Sequence, residues 1–262
     1  MTTELQPLPE KEMLSGFRNM LRIENSRWWN MKNILTQSII WLACVSFILA
    51  MPVVIGPMMG ESEAMPIEEG VNIFTSVFSL VLAFGSVILL QGSLVGEKQS
   101  GTAAWILSNP ISRISYILSK LVSNTVGIMS VGIILQGAVS YLILSYVNGA
   151  ALPIASYVTA MGLLTLYTLF YISLTLMLGS VFNKRGPILG IAMMIVFQDF
   201  LGGIIDNIIK GFTSILPNRL YEAAEAVILG NPLPSIVPVA TTVIFIVLFM
   251  GLAIWKFNKT EF

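Results

Sequence analysis

The side chains able to do chemistry are few, and what is missing narrows the possibilities first. The chain has 262 residues with no histidine and one cysteine, Cys44. Zinc and haem sites of the usual kind draw on those residue types, as does a His-dependent triad, so neither is expected. The two aspartates, Asp199 and Asp206, lie seven apart on one predicted helix, whereas an intramembrane aspartyl protease needs its carboxylates facing one another from different helices. The run Gly96-Glu97-Lys98-Gln99-Ser100-Gly101-Thr102 has the glycine spacing of a phosphate-binding loop. That loop requires Lys after the second glycine and then Ser or Thr, and here Thr102 and Ala103 hold those places. No catalytic residue, metal ligand set or resident cofactor is expected. What the run does offer is docking: charged residues at its ends and an apolar patch, Trp105-Ile106-Leu107, in its middle.

The elements around it must cross a membrane. The sequence is 55% hydrophobic and 11% charged, against roughly 25% charged in soluble domains. In hydrocarbon every backbone group must bond internally, and long unbroken apolar runs satisfy that as helices, whereas barrel strands would alternate. An all-α integral membrane protein is therefore expected, as a single transmembrane domain over 1–262. About six runs reach the ~20 residues that a span needs: Asn33 to Ile55, Val71 to Val95, Ile114 to Val147, Ile154 to Phe182, Pro187 to Asp206, and Ser235 to Lys256. In this arrangement twelve of the fourteen basic residues fall on one face, leaving Lys210 and Arg219 on the other. The positive-inside rule puts that face, with both termini, in the cytoplasm. The acidic loop holding Glu61, Glu63, Glu68 and Glu69 then faces outward.

Local signals refine the picture. Leu14, Phe17, Leu21 and Trp28 recur at helical spacing with Arg18 and Arg22 on another face, which reads as an interfacial helix over 10–30 or as a snorkelling basic flank. The first apolar run starts late and exceeds a signal's h-region of about 7–15 residues, so retention is expected. Asn109 and Pro110 look like the cap and first position of the third span, whose length requires its start to project into the cytoplasm. Residues 207–234 are too polar to cross and read as an external or re-entrant segment with a short helix from Pro217-Asn218, stopped by Gly230 and Pro232. Asp199 is costly inside a span. With Gln198, Gln91 and Gln136 it either lines a polar conduit or makes structural hydrogen bonds. Cys44 reads as a packing residue, and the Gly92/Gly96 and Gly186/Gly190 pairs permit close helix approach.

The stretch Glu97-Lys98-Gln99-Ser100-Gly101-Thr102 through Leu107-Ser108-Asn109-Pro110-Ile111-Ser112-Arg113, then Lys120, resembles the pattern E-x-x-x-G-T, L-S-x-P-x-S-R, K that follows the second span in type-two ABC export permeases. The likeness extends over nearly the whole chain; the acidic first external loop and the Glu24 to Trp29 stretch look like subgroup features. The resemblance implies a permease subunit in the cell membrane that exports a substrate by alternating access. It carries no nucleotide site, and ATP and Mg are bound by a separate ABC ATPase. A second permease copy completes the conduit, with spans one, two and five as its expected walls; no nucleic acid is among the expected partners. By the same resemblance, 97–108 is the coupling helix seated in the ATPase. Trp105, Ile106 and Leu107 are its apolar anchor, Glu97, Lys98 and Arg113 its charged rim, Gly101 and Thr102 part of its motif, and Arg18 and Arg22 further contacts. An ion-coupled secondary transporter or channel is the alternative; it would be expected to show broken helices or several intramembrane charges.

Overall fold

The structure, a computed structural model, describes residues 13–52, 65–197 and 213–260. Every regular element among them is helical. The interfacial helix α1 (Phe17–Trp28) leads into α2 (Met31–Ala50), which carries a π-helical turn at Leu42–Ser46. Then follow α3 (Ile67–Leu90), two short helices α4 (Val95–Gln99) and α5 (Thr102–Ser108), and the long α6 (Arg113–Val147), π-helical over Met129–Leu135. The remaining helices are α7 (Ile154–Val181), α8 (Arg185–Val196), α9 (Arg219–Ile228) and α10 (Val237–Asn258). Five of these elements are long and apolar enough to cross a bilayer, and α8 is a shorter apolar helix within the expected fifth span.

Helix starts follow local chemistry. Asn30 caps α2, its side-chain oxygen accepting from the Lys32 N–H at 3.0 Å. The third span differs from its sequence-based expectation. Asn109 does not open it, because the Asn109 amide donates to the Trp105 carbonyl at 3.0 Å and closes α5 instead. Ser112 is the cap: its hydroxyl accepts from the Ser115 N–H at 3.0 Å and donates to the Met13 carbonyl. The 35 residues of α6 make a rod roughly 52 Å long, well beyond a hydrocarbon core of about 30 Å. One end of α6 must therefore stand clear of the membrane interior.

Helix α7 is apolar all round and packs against α3, α6, α8, α9 and α10, as expected for a central element. Two buried clusters meet along it. One gathers α1, α2, α3 and α6 around Met20, Trp41, Phe74 and Ile128; the other joins α3, α8 and α9 around Tyr171, Leu174, Ile188 and Leu220. Helix α9 does not simply cap the bundle. Its preceding residue Asn218 lies 3.4 Å from the Tyr171 hydroxyl, roughly 25 Å along α7 from Ile154. Glu225, near its other end, accepts from Asn72 close to the start of α3. Residues 218–225 thus run from the bundle interior towards the end at which α3 starts.

Where α1 crosses α6, Trp28 lies flat on Gly127. A Cβ at that position would sit 2.1 Å from the indole ring, while the Trp28 Nε1–H donates to Asn124 at 3.1 Å. Gly127→Ala should therefore force the helices apart and cost about 1–3 kcal/mol. Gly162→Ala, where a Cβ meets nothing within 4 Å, should leave stability unchanged or slightly raised. Thermal unfolding of both variants in detergent checks the pair.

Candidate coupling site

The region of interest begins where α3 ends. A turn over residues 91–94 leads to α4, and Gly101, at φ 74, breaks the helix before α5. Where a single coupling helix over 97–108 was expected, there are two helices with a left-handed residue between them, a conformation that glycine adopts without strain. The Ser100 and Thr102 hydroxyls bond across the break at 2.8 Å.

The inner side of this segment is built on charge. Glu97 is buried and turned into the protein, not along the docking rim. It accepts from Lys120 Nζ at 2.8 Å, from Arg27 Nη1 at 2.9 Å and from the Tyr116 hydroxyl. Lys120, fully buried, also donates to Glu24 at 2.8 Å, and Arg27 reaches Glu24 at 3.4 Å. Two carboxylates and two cations thus form a neutral cluster from three elements: Glu24 and Arg27 one turn apart on α1, Glu97 on α4, and Tyr116 and Lys120 one turn apart on α6. Burial alone would lower the Arg27 pKa, but Glu24 and Glu97 more than offset it and hold the guanidinium above its ordinary value.

Neighbouring residues bind the segment to the helix ends around it. Lys98 Nζ donates to the Ser180 carbonyl at 2.7 Å, and the Gln99 amide to Asn183 O at 2.8 Å, satisfying acceptors that the end of α7 leaves open. Arg113 does the same for α10, donating to the carbonyls of Phe257 and Thr260 at 2.9 and 2.8 Å. The Ser15 hydroxyl donates to Pro110 O at 2.7 Å. Six elements converge at this end of the bundle.

The outer side is different. Trp105 is 71% exposed, while Ile106 beside it is buried and Leu107 is half-buried. Gly101 is exposed and Thr102 half-buried, and on α1 Arg18 and Arg22 are both exposed. Of the anticipated apolar anchor, only Trp105 presents most of its surface. Of the anticipated conduit residues, the two among the described residues lie apart. Gln136 is buried, and its amide is taken up by Ser46 at 2.8 Å and Ser140 at 3.0 Å, joining α2 to α6 beside their π-helical segments. Gln91 is half-buried in the turn after α3, at the other end of the bundle. Gln198 and Asp199 lie outside the described residues.

Sequence reasoning did not select Glu24, Arg27 and Tyr116 as site residues, and quoted Lys120 only as part of a motif. The available signal was Lys120 itself: a lysine two turns into an apolar helix needs partners, and Glu24, three before Arg27, lies on a helix close enough to supply one.

Comparison with known families decides the class. The family described as "ABC-2 family transporter protein" matches residues 17–262, a span that takes in α1 to α10. The chain belongs to the ABC-2 transporter family. It is also 22% identical over 213 residues, 78% of each chain, to the uncharacterized transmembrane protein YxlG of Bacillus subtilis (strain 168). This ABC-2 protein is thus the membrane component of a transporter, and the charged cluster belongs to its permease architecture.

Removing Lys120 leaves two buried carboxylates facing Arg27 alone. Lys120→Met should cost about 3–5 kcal/mol. The triple variant Glu24→Leu, Glu97→Leu, Lys120→Met, which removes the buried charges together, should recover much of that loss. Denaturant unfolding of purified protein in detergent would show this ordering, and a triple variant less stable than the single one would contradict it.

Proposed function

We propose that the chain is the permease subunit of an ATP-driven exporter. It works with a separate ABC ATPase that binds ATP and Mg, and with a second permease copy. The observation that carries this reading is the two-sidedness of the segment over α4 and α5. Its inner side is fixed to α1, α6 and α7 by charged hydrogen bonds and to the loop before α8 by the Gln99 amide, and its outer side leaves a large aromatic, Trp105, with most of its surface uncovered. Aromatic residues that project from a fixed backbone are the usual anchors of an interface, and flanking charges set its orientation and association rate. Arg18 and Arg22 on α1 supply such charges.

On this reading the end of the bundle carrying α4, α5 and both described chain ends is cytoplasmic, which agrees with the positive-inside rule. A push on Trp105 passes through the Glu97 and Lys120 contacts into α6, and through Lys98 into α7. The conduit forms between two permease copies, with Gln91, Gln198 and Asp199 as its candidate polar positions, while Gln136 is held by Ser46 and Ser140 as a structural link between α2 and α6. The substrate moves by alternating access.

Trp105→Ala removes the anchor without touching the core, so the fold should persist. Co-purification of the ATPase from the native membrane should fall by about tenfold or more, as for a loss of at least ~1.4 kcal/mol at a hot spot. Arg18→Glu with Arg22→Glu should slow association and weaken its salt dependence. A Trp105→Ala protein that keeps its full complement of ATPase and its coupled ATP hydrolysis would overturn the docking assignment.

A further inference from the structure

Two cavities share lining from α2 and α3, the first also walled by α1, α6 and the start of α8, and they differ sharply in character. The first, about 320 Å³, lies at the end of the bundle that carries α4. Its walls include Arg27, Arg185, Asn33, Asn124 and Ser93. The second, about 460 Å³, continues from it along the two helices and is almost wholly apolar, lined by Ile40, Trp41, Cys44, Phe84, Gly85 and Ile88. Gln37 and Leu89 line both. From Gln37 to Cys44 on one helix, and from Leu89 back to Leu80 on the other, the apolar groove runs roughly 10–14 Å. Both volumes fall at the scale of small-molecule sites, about 300–1,000 Å³.

The polar cavity carries one unbalanced positive charge. The carboxylates of Glu24 and Glu97 offset Arg27 and Lys120 within the buried cluster. Arg185 makes no ion pair among the described residues; its guanidinium lies across Gly92, 3.2 Å from where a Cβ would stand. One donor on these same walls, the Ser93 hydroxyl, is buried with no hydrogen-bond partner among the described residues. Buried donors in folded proteins are nearly always satisfied, and a ligand with acceptor oxygens beside Arg185 would satisfy this one. A guanidinium without an ion pair among the described residues, an orphaned hydroxyl and an adjoining apolar trough together describe a molecule with an anionic head and a hydrocarbon tail.

We infer that the crevice between α2 and α3 is a binding site for an anionic phospholipid. The phosphate sits against Arg185 and Ser93, and an acyl chain lies along Trp41, Cys44 and Phe84. A phosphate presents pairs of acceptor oxygens that match the planar fork of a guanidinium, and the resulting bidentate pair is among the strong charge-assisted contacts. The tail contributes about 0.8 kcal/mol for each buried CH₂. The site stands on this geometry alone and does not depend on an ATPase partner.

The test is native mass spectrometry of the purified protein, released from neutral detergent micelles doped with dioleoyl phosphatidylglycerol or dioleoyl phosphatidylcholine. Wild type should retain phosphatidylglycerol severalfold better than phosphatidylcholine. Arg185→Gln should cut phosphatidylglycerol retention about fivefold, towards the phosphatidylcholine level, with its thermal unfolding unchanged. Cys44→Phe, at an exposed position on the groove, should reduce retention of both lipids by obstructing the tail. Equal retention of the two lipids by wild type, or phosphatidylglycerol retention unchanged in both variants, overturns the assignment. So does inorganic phosphate alone occupying the head cavity as well as the lipid does. A Cys44→Phe protein that loses a dimeric species and no lipid would give the groove to a second copy of the chain and overturn it too.

Discussion

A lysine buried completely among apolar helices is the constraint on which the rest of the structure depends. Taking one ammonium out of water costs several kcal/mol unless opposite charge and hydrogen bonds replace its hydration. Lys120 meets that demand with Glu24 and Glu97, each at 2.8 Å. Those two carboxylates need more than one cation between them, and Arg27 and the Tyr116 hydroxyl complete the set. Because the partners come from α1, α4 and α6, the electrostatics can be satisfied only if the three elements are docked in one register. Such a cluster need not raise stability over an apolar packing of the same shape. It specifies the arrangement, because any slip leaves a charge unpaired in the interior.

From this register the two faces of the coupling segment follow. With Glu97 held inward, the turn at Gly101 directs α5 so that Ile106 packs into the core and Trp105 projects outward. Lys98 and Gln99 tie the same short segment to the end of α7 and the loop before α8, and Arg113 ties the start of α6 to the end of α10. The segment is too short to hold its shape alone, since isolated helices below about 12–15 residues are marginal. Its rigidity is borrowed from the helix ends it caps.

Much of this was legible in the sequence, for reasons that can be named. Apolar runs of span length, unbroken rather than alternating, and the low share of charged residues pointed to the all-helical membrane class. The short helix ending near Gly230 was visible from Pro217-Asn218 and Gly230 themselves. Finer features were settled by contacts between distant residues. Asn109-Pro110 has every local mark of a helix start, yet Ser112 takes that role because its hydroxyl also bonds Met13, 99 residues away in sequence. Glu97 looks like a surface charge in its polar run. It is internal because Lys120 and Arg27, 23 and 70 residues distant, converge on it. The two-helix form of the segment turned on one residue, Gly101, whose positive φ no periodicity reveals.

The central claim is that the charged cluster holds α1 and the α4–α5 segment as one body. It is tested most directly by a distance measured between them. With Cys44 replaced by Ser, spin labels at Ser26 and Ser108, both exposed, report the separation of α1 from α5 by pulsed electron paramagnetic resonance in lipid nanodiscs. The account predicts a single narrow distance distribution in the otherwise unaltered protein and a broad one in Lys120→Met. Distributions of equal width in the two proteins would show that the cluster does not fix this geometry.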